Sequence, residues 1–113
     1  MTRLSLLAST AAALAIAAIA GSARANAASF NCNAHLSYTE KAICDNPGLS
    51  NADDQLASLY YGVLNSAGPG VRQAIERREY AWLGQRNSCG ANVRCLWQAY
   101  RGRIQTLNEA GAY

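Results

Sequence analysis

Apolar residues recur three and four positions apart through most of the chain beyond residue 36, and nowhere do they alternate over a strand's length, so helices are predicted and a sheet is not. Ser37-Tyr38-Thr39-Glu40 reads as a capping box, with the Ser37 hydroxyl accepting from the Glu40 amide and the Glu40 carboxylate reaching back. A short helix through Cys44 follows from it. Asn46-Pro47-Gly48 is expected to stop that helix, because Pro has no amide to donate and Gly tolerates a left-handed exit. Ser50 is read as the next cap, with Asp53 and Asp54 in the first turn facing the positive end of the helix dipole. Ala52, Leu56, Leu59, Tyr60, Val63 and Leu64 then give one apolar face over about four turns. Ser66-Ala67-Gly68-Pro69-Gly70 is long enough only to reverse direction, which predicts an antiparallel hairpin. The third helix is placed from about Val71 to Gln85, with Val71, Ile75, Arg78 or Glu79, and Trp82 on one stripe and Arg72, Glu76 and Arg77 opposite. Cys89-Gly90-Ala91-Asn92 closes it and opens a fourth, stepped by Val93, Leu96 or Trp97, Tyr100, Ile104 and Leu107. Asn108 to Tyr113 is expected to fray.

A different pattern precedes these helices. Arg3 is followed by an apolar run from Leu4 to Ala20 and then by Ala23-Arg24-Ala25. A basic start, an apolar stretch of that length and small residues at its end mark a secretory signal peptide. Residues 1–25 are therefore read as the signal peptide and 26–113 as one domain, with cleavage after Ala27 as the second choice. The run is Ala-rich and interrupted by Ser5, Ser9 and Thr10, short of what a membrane anchor needs. Cys32 lies too far beyond it to be a lipid-modified terminus. The expected location is periplasmic or secreted, with no membrane anchor after cleavage.

Export changes the meaning of the four cysteines, since an even number in a small oxidised domain points to disulfides. Three pairings are possible. Cys32 and Cys44 are close in sequence, as are Cys89 and Cys95, so the two local rings 32–44 and 89–95 are the favoured connectivity. On the loop-entropy model each contributes roughly 2–3 kcal/mol. Cross-links matter here, because beyond the leader only 15 of 88 residues are Val, Ile, Leu or Phe. The expected architecture is a small all-α domain of three to four helices, stapled by disulfides around the hairpin.

Charge and residue chemistry narrow the function classes. Residues 26–113 carry eight Lys and Arg against seven Asp and Glu. Arg77 and Arg78 are flanked by Glu76 and Glu79, so no clustered basic face for nucleic acid is expected. His35 is the only imidazole and has no evident nucleophile partner. Asp53 or Asp54 with Glu76 or Glu79 could in principle form a glycosidase carboxylate pair. Helix-end and surface roles account for them more simply: Glu76 and Glu79 are expected as solvated partners of Arg77 and Arg78. The cysteine spacing and the single His do not fit a zinc site, and no cofactor is expected. An enzyme is therefore not the expectation. Of the aromatic residues, Trp82, Tyr60 and Tyr100 follow the apolar stripes and are expected in the core, whereas Tyr61, Tyr80 and Trp97 lie off or beside them and are candidate partner contacts.

The run Phe30-Asn31-Cys32, Glu40-Lys41-Ala42-Ile43-Cys44, Pro47, Leu49, Asp53, Leu56, Tyr60, Trp82-Leu83, Arg86, Cys89, Cys95-Leu96, Tyr100, Arg103-Ile104 and Leu107 resembles the lysozyme inhibitor LprI-like family of small exported bacterial domains. The resemblance spans roughly residues 30–107. Ala52 and Glu79 depart from it, where that family often has Leu and Gln. It implies an all-helical, disulfide-bearing envelope domain and, for the eponymous member, inhibition of lysozyme. Within this pattern Arg86 lies four residues after Trp82 and Arg103 three after Tyr100, near the buried sides of their helices. One or both are expected to pair with Asp53 and fix the packing of the hairpin. The functional alternative is that one of these arginines engages the catalytic carboxylates of a lysozyme. The expectation is a binding protein that occludes a lysozyme cleft; the alternative is an envelope adaptor that binds another protein or peptidoglycan without inhibition.

Overall fold

A computed structural model describes residues 28–111; the leader and both candidate cleavage sites lie outside the described residues. Four helices follow one another: α1 Tyr38–Asp45, α2 Pro47–Ser66, α3 Pro69–Ser88 and α4 Val93–Gly111. The described residues contain no strand. The disulfides are Cys32–Cys44 and Cys89–Cys95, with Cα separations of 5.8 Å and 5.5 Å. This is the disulfide-stapled all-α domain that the spacing predicted.

The capping box at Ser37 forms with both of its hydrogen bonds. The next boundary differs from expectation. Asn46, not Ser50, caps α2: its Oδ1 accepts from the Leu49 amide at 3.1 Å. Pro47 then occupies the first turn, where no intrahelical donor is needed, so it starts this helix besides ending the one before. Ser50 is inside the helix, and its Oγ donates to the Ile43 carbonyl at 2.7 Å, binding the end of α1 to the start of α2. Asp53 is thereby moved out of the first turn and is buried. At its other end the chain is more regular than expected, since α4 continues to Gly111.

Ile43, Leu49, Leu96 and Tyr100 are fully shielded from solvent, and Leu56, Trp82 and Leu107 join them in one core. Burial of an aliphatic side chain of this size contributes about 1.5–3 kcal/mol. The closest partner of α2 is α4, not its hairpin neighbour α3. The reason is compositional: α3 buries only Ile75, Trp82 and Arg86, and Val71, placed on its apolar stripe by spacing, is exposed. Two tethers complete the frame. Thr39, on α1, donates through its hydroxyl to the Gly90 carbonyl at 2.9 Å, and Gly90 takes a positive φ of 59° in the turn closed by Cys89–Cys95. At Gly48 a Cβ would stand 2.8 Å from Trp97 Cζ2, so a side chain there would push α4 away from the start of α2.

Candidate functional site

Asp53 is the centre of the deepest polar cluster. Its Oδ1 accepts from the Tyr100 hydroxyl at 2.6 Å and lies 3.8 Å from Arg86 Nη1. Its Oδ2 accepts from both the amide and the hydroxyl of Ser29, at 2.7 Å and 2.6 Å. Arg86 Nη1 also donates to Tyr100 Oη at 3.4 Å, so Arg86, Tyr100 and Asp53 form a continuous chain across α3, α4 and α2. The rest of the Arg86 guanidinium donates to Asn87 Oδ1. The Trp82 indole packs edge-on against Tyr100 at 5.1 Å between ring centres and donates to the Ala99 carbonyl. Burial, then the hydrogen bond to Asp53 and its negative charge, push the Tyr100 phenol well above its ordinary range. A cluster whose donors and acceptors are consumed by one another holds helices together and has nothing left to offer a substrate.

Arg103 is not part of it. Of the two arginines expected singly or together on Asp53, Arg86 is there and Arg103 pairs instead with Glu79, whose Oε1 accepts from Arg103 Nε at 3.0 Å. Glu79, expected to be a solvated partner of Arg77 and Arg78, turns inward from α3 instead. Burial raises the Glu79 carboxyl above its ordinary range, although the Arg103 hydrogen bond and charge pull it back. Arg103 Nη2 is buried with no hydrogen-bond partner. Neither Arg86 nor Arg103 projects from the surface, so neither is placed to enter the cleft of another protein.

The remaining candidates separate by exposure. Tyr61 and Tyr80 are exposed, with Tyr61 edge-on to the half-buried Tyr60 at 5.1 Å. Trp97 is half-buried against Gly48, with the Arg101 guanidinium 5.4 Å from its ring, so its role is packing more than contact. Tyr38, which lies on no apolar stripe, is 85% exposed at the start of α1. His35, Asp54 and Glu76 are exposed and make no side-chain hydrogen bond to one another. Among the described residues no group of three or more His, Cys, Asp or Glu could hold a metal ion, and no helix is long and apolar enough to cross a membrane.

Two grooves border α3. One, between α2, α3 and the end of α4, is lined by Leu59, Val63, Val71, Ile75 and Leu107 among others. The other runs between α3 and α4 past Ala81, Gln85, Gln98 and Gly102. Arg78 borders both. Sequence periodicity offered Arg78 only as an alternative to Glu79 on the apolar stripe, with nothing to mark the grooves. Comparison with protein-family models, curated proteins and solved structures found no match.

Proposed function

We propose that this chain is an exported binding protein that inhibits a lysozyme by occluding its active-site cleft. The observation that carries the reading is the division of its polar chemistry: Asp53, Arg86 and Tyr100 are spent on one another inside the fold, while large aromatic side chains, Tyr61 and Tyr80, stand on the outside of a cross-linked helical frame. Exposed aromatic side chains on a rigid frame bury large area on contact at low entropic cost, as interface anchors do. The sequence resemblance supplies lysozyme as the partner, and the two disulfides agree with the oxidising compartment that a leader at residues 1–25 implies.

The test is a turbidity assay of the purified, oxidised protein against c-, g- and i-type lysozymes. Inhibition of at least one type at micromolar protein is expected, weakened by Tyr61→Ala or Tyr80→Ala with the helical circular dichroism spectrum unchanged. No inhibition of any of the three rejects this reading in favour of a non-inhibitory envelope adaptor.

A further inference from the structure

We propose that the groove between α3 and α4 receives an acidic side chain of the protein partner, with Arg78 as the residue that contacts it. The proposal rests on the binding-protein reading and adds a surface and a chemical class to it. The groove is open to solvent and offers about 780 Å³, room for a side chain and its flanking backbone. Two of its lining residues are cations, Arg78 and Arg103, and none is Asp or Glu. Arg78 is exposed and has no salt-bridge partner among the described residues. Behind it Arg103 is more than nine-tenths buried, uses Nε on Glu79, and keeps Nη2 without any partner. Glu79 compensates the charge of Arg103, so Arg78 is the uncompensated cation of the groove, and with the unpartnered Arg103 nitrogen it makes a local positive potential that a carboxylate relieves.

Shape agrees with charge. Ala81 and Gly102 present little side chain to the groove, and a Cβ on Gly102 would meet nothing within 4 Å, so a partner's backbone can approach closely. Gln85 and Gln98 supply neutral amides along the walls. Arg78 also borders the neighbouring groove of Val71, Ile75 and Leu107, so the fitting segment carries a carboxylate with an aliphatic side chain beside it. The expected contact is one partner carboxylate on Arg78, set by local complementarity and not by net charge.

Two measurements on the full, oxidised protein test it. In an NMR titration, acetyl-Leu-Glu-Leu-amide at millimolar concentration is expected to shift the Arg78 side-chain NεH and the Gly102 and Gln98 amides, and the Gln-containing analogue about tenfold less. Equal shifts from both peptides, or none in the groove, overturn the proposal whatever the protein does to lysozyme. Arg78→Ala is expected to abolish the shifts. Gly102→Phe fills the groove from open space, and is expected to block the peptide without lowering the melting temperature. In the turbidity assay Arg78→Ala is expected to weaken inhibition at least about tenfold, with Arg77→Ala unchanged. Inhibition by the parent protein that survives Arg78→Ala overturns the groove alone. Absence of inhibition by the parent rejects the inhibitor reading, and the peptide titration then decides the groove by itself.

Discussion

Two buried carboxylate–arginine pairs sit within the same small fold and are built differently. Asp53 meets donors on every side, from Ser29, Tyr100 and Arg86, and so joins the N-terminal segment, α2, α3 and α4. Glu79 and Arg103 share one hydrogen bond between α3 and α4, Glu79 is penalised by its own burial, and one Arg103 nitrogen is idle. The energy of a buried ion pair depends less on its distance than on how many of its other polar atoms find partners. The saturated pair is an internal clamp. The unsaturated one leaves an unpartnered guanidinium nitrogen on a residue that lines a groove.

Each side of that comparison can be broken separately. Asp53→Ala is expected to have the largest effect, about 3–5 kcal/mol in urea unfolding, since it strands the buried Arg86 and releases Ser29 and Tyr100 together. An unchanged melting temperature with lost inhibition would instead make Asp53 a binding residue. Tyr100→Phe removes the donor to Asp53 and the acceptor for Arg86 but leaves the ion pair in place, and is expected to cost about 1–3 kcal/mol at neutral pH. It should also change the alkaline limb of the stability curve. The folded-state pKa of Tyr100 is raised above the ordinary 10.0, so its contribution is complete below that value and is lost as pH climbs toward the folded pKa. Melting temperatures from pH 8 to 11 should fall less steeply in the variant; identical slopes would mean that another group controls the limb.

Glu79→Gln probes the other pair and is expected to cost about 1–2 kcal/mol near pH 7: the amide keeps an acceptor for Arg103 and escapes the cost of burying a carboxylate, but it leaves the Arg103 charge uncompensated. A raised carboxyl pKa disfavours the fold as pH rises through it, so the parent should lose stability relative to Glu79→Gln between acidic and neutral pH. A loss as large as that of Asp53→Ala would erase the distinction between the pairs. Lys41–Asp45 at 3.0 Å sets the lower end of the scale: both side chains are mostly exposed, and Lys41→Ala is expected to shift stability by under about 1 kcal/mol.

Much of this frame was legible in the sequence because its signals are local. The Ser37–Glu40 box, the Ser66–Gly70 reversal and the two short cysteine spacings each act within a dozen residues. The start of α2 was misread for a local reason too. Pro47 both ends one helix and opens the next, and the cap residue, Asn46, belongs by pattern equally to the stop before it. Long-range choices were less visible. Periodicity placed Asp53, Arg86 and Arg103 near buried faces but could not decide which acid each arginine would meet, and Glu79 sat among charged neighbours that made solvation the simpler expectation. Trp97 looked free because the residue it covers, Gly48, lies 49 positions away and has no side chain to advertise the contact. The grooves that meet at Arg78 depend on how three helices diverge, which no single-helix pattern records.

The two hydrogen bonds from Ser29 to Asp53 also fix how far the N-terminus can be trimmed. Cleavage at either expected position, after Ala25 or after Ala27, would leave Ser29 in the chain with both of its hydrogen bonds to Asp53. An exopeptidase that removed Ala28 and Ser29 would take away both donors to one oxygen of Asp53 without touching a helix or a disulfide. Ser29 thus marks the point at which shortening the N-terminal segment would begin to strip donors from the clamp between the helices.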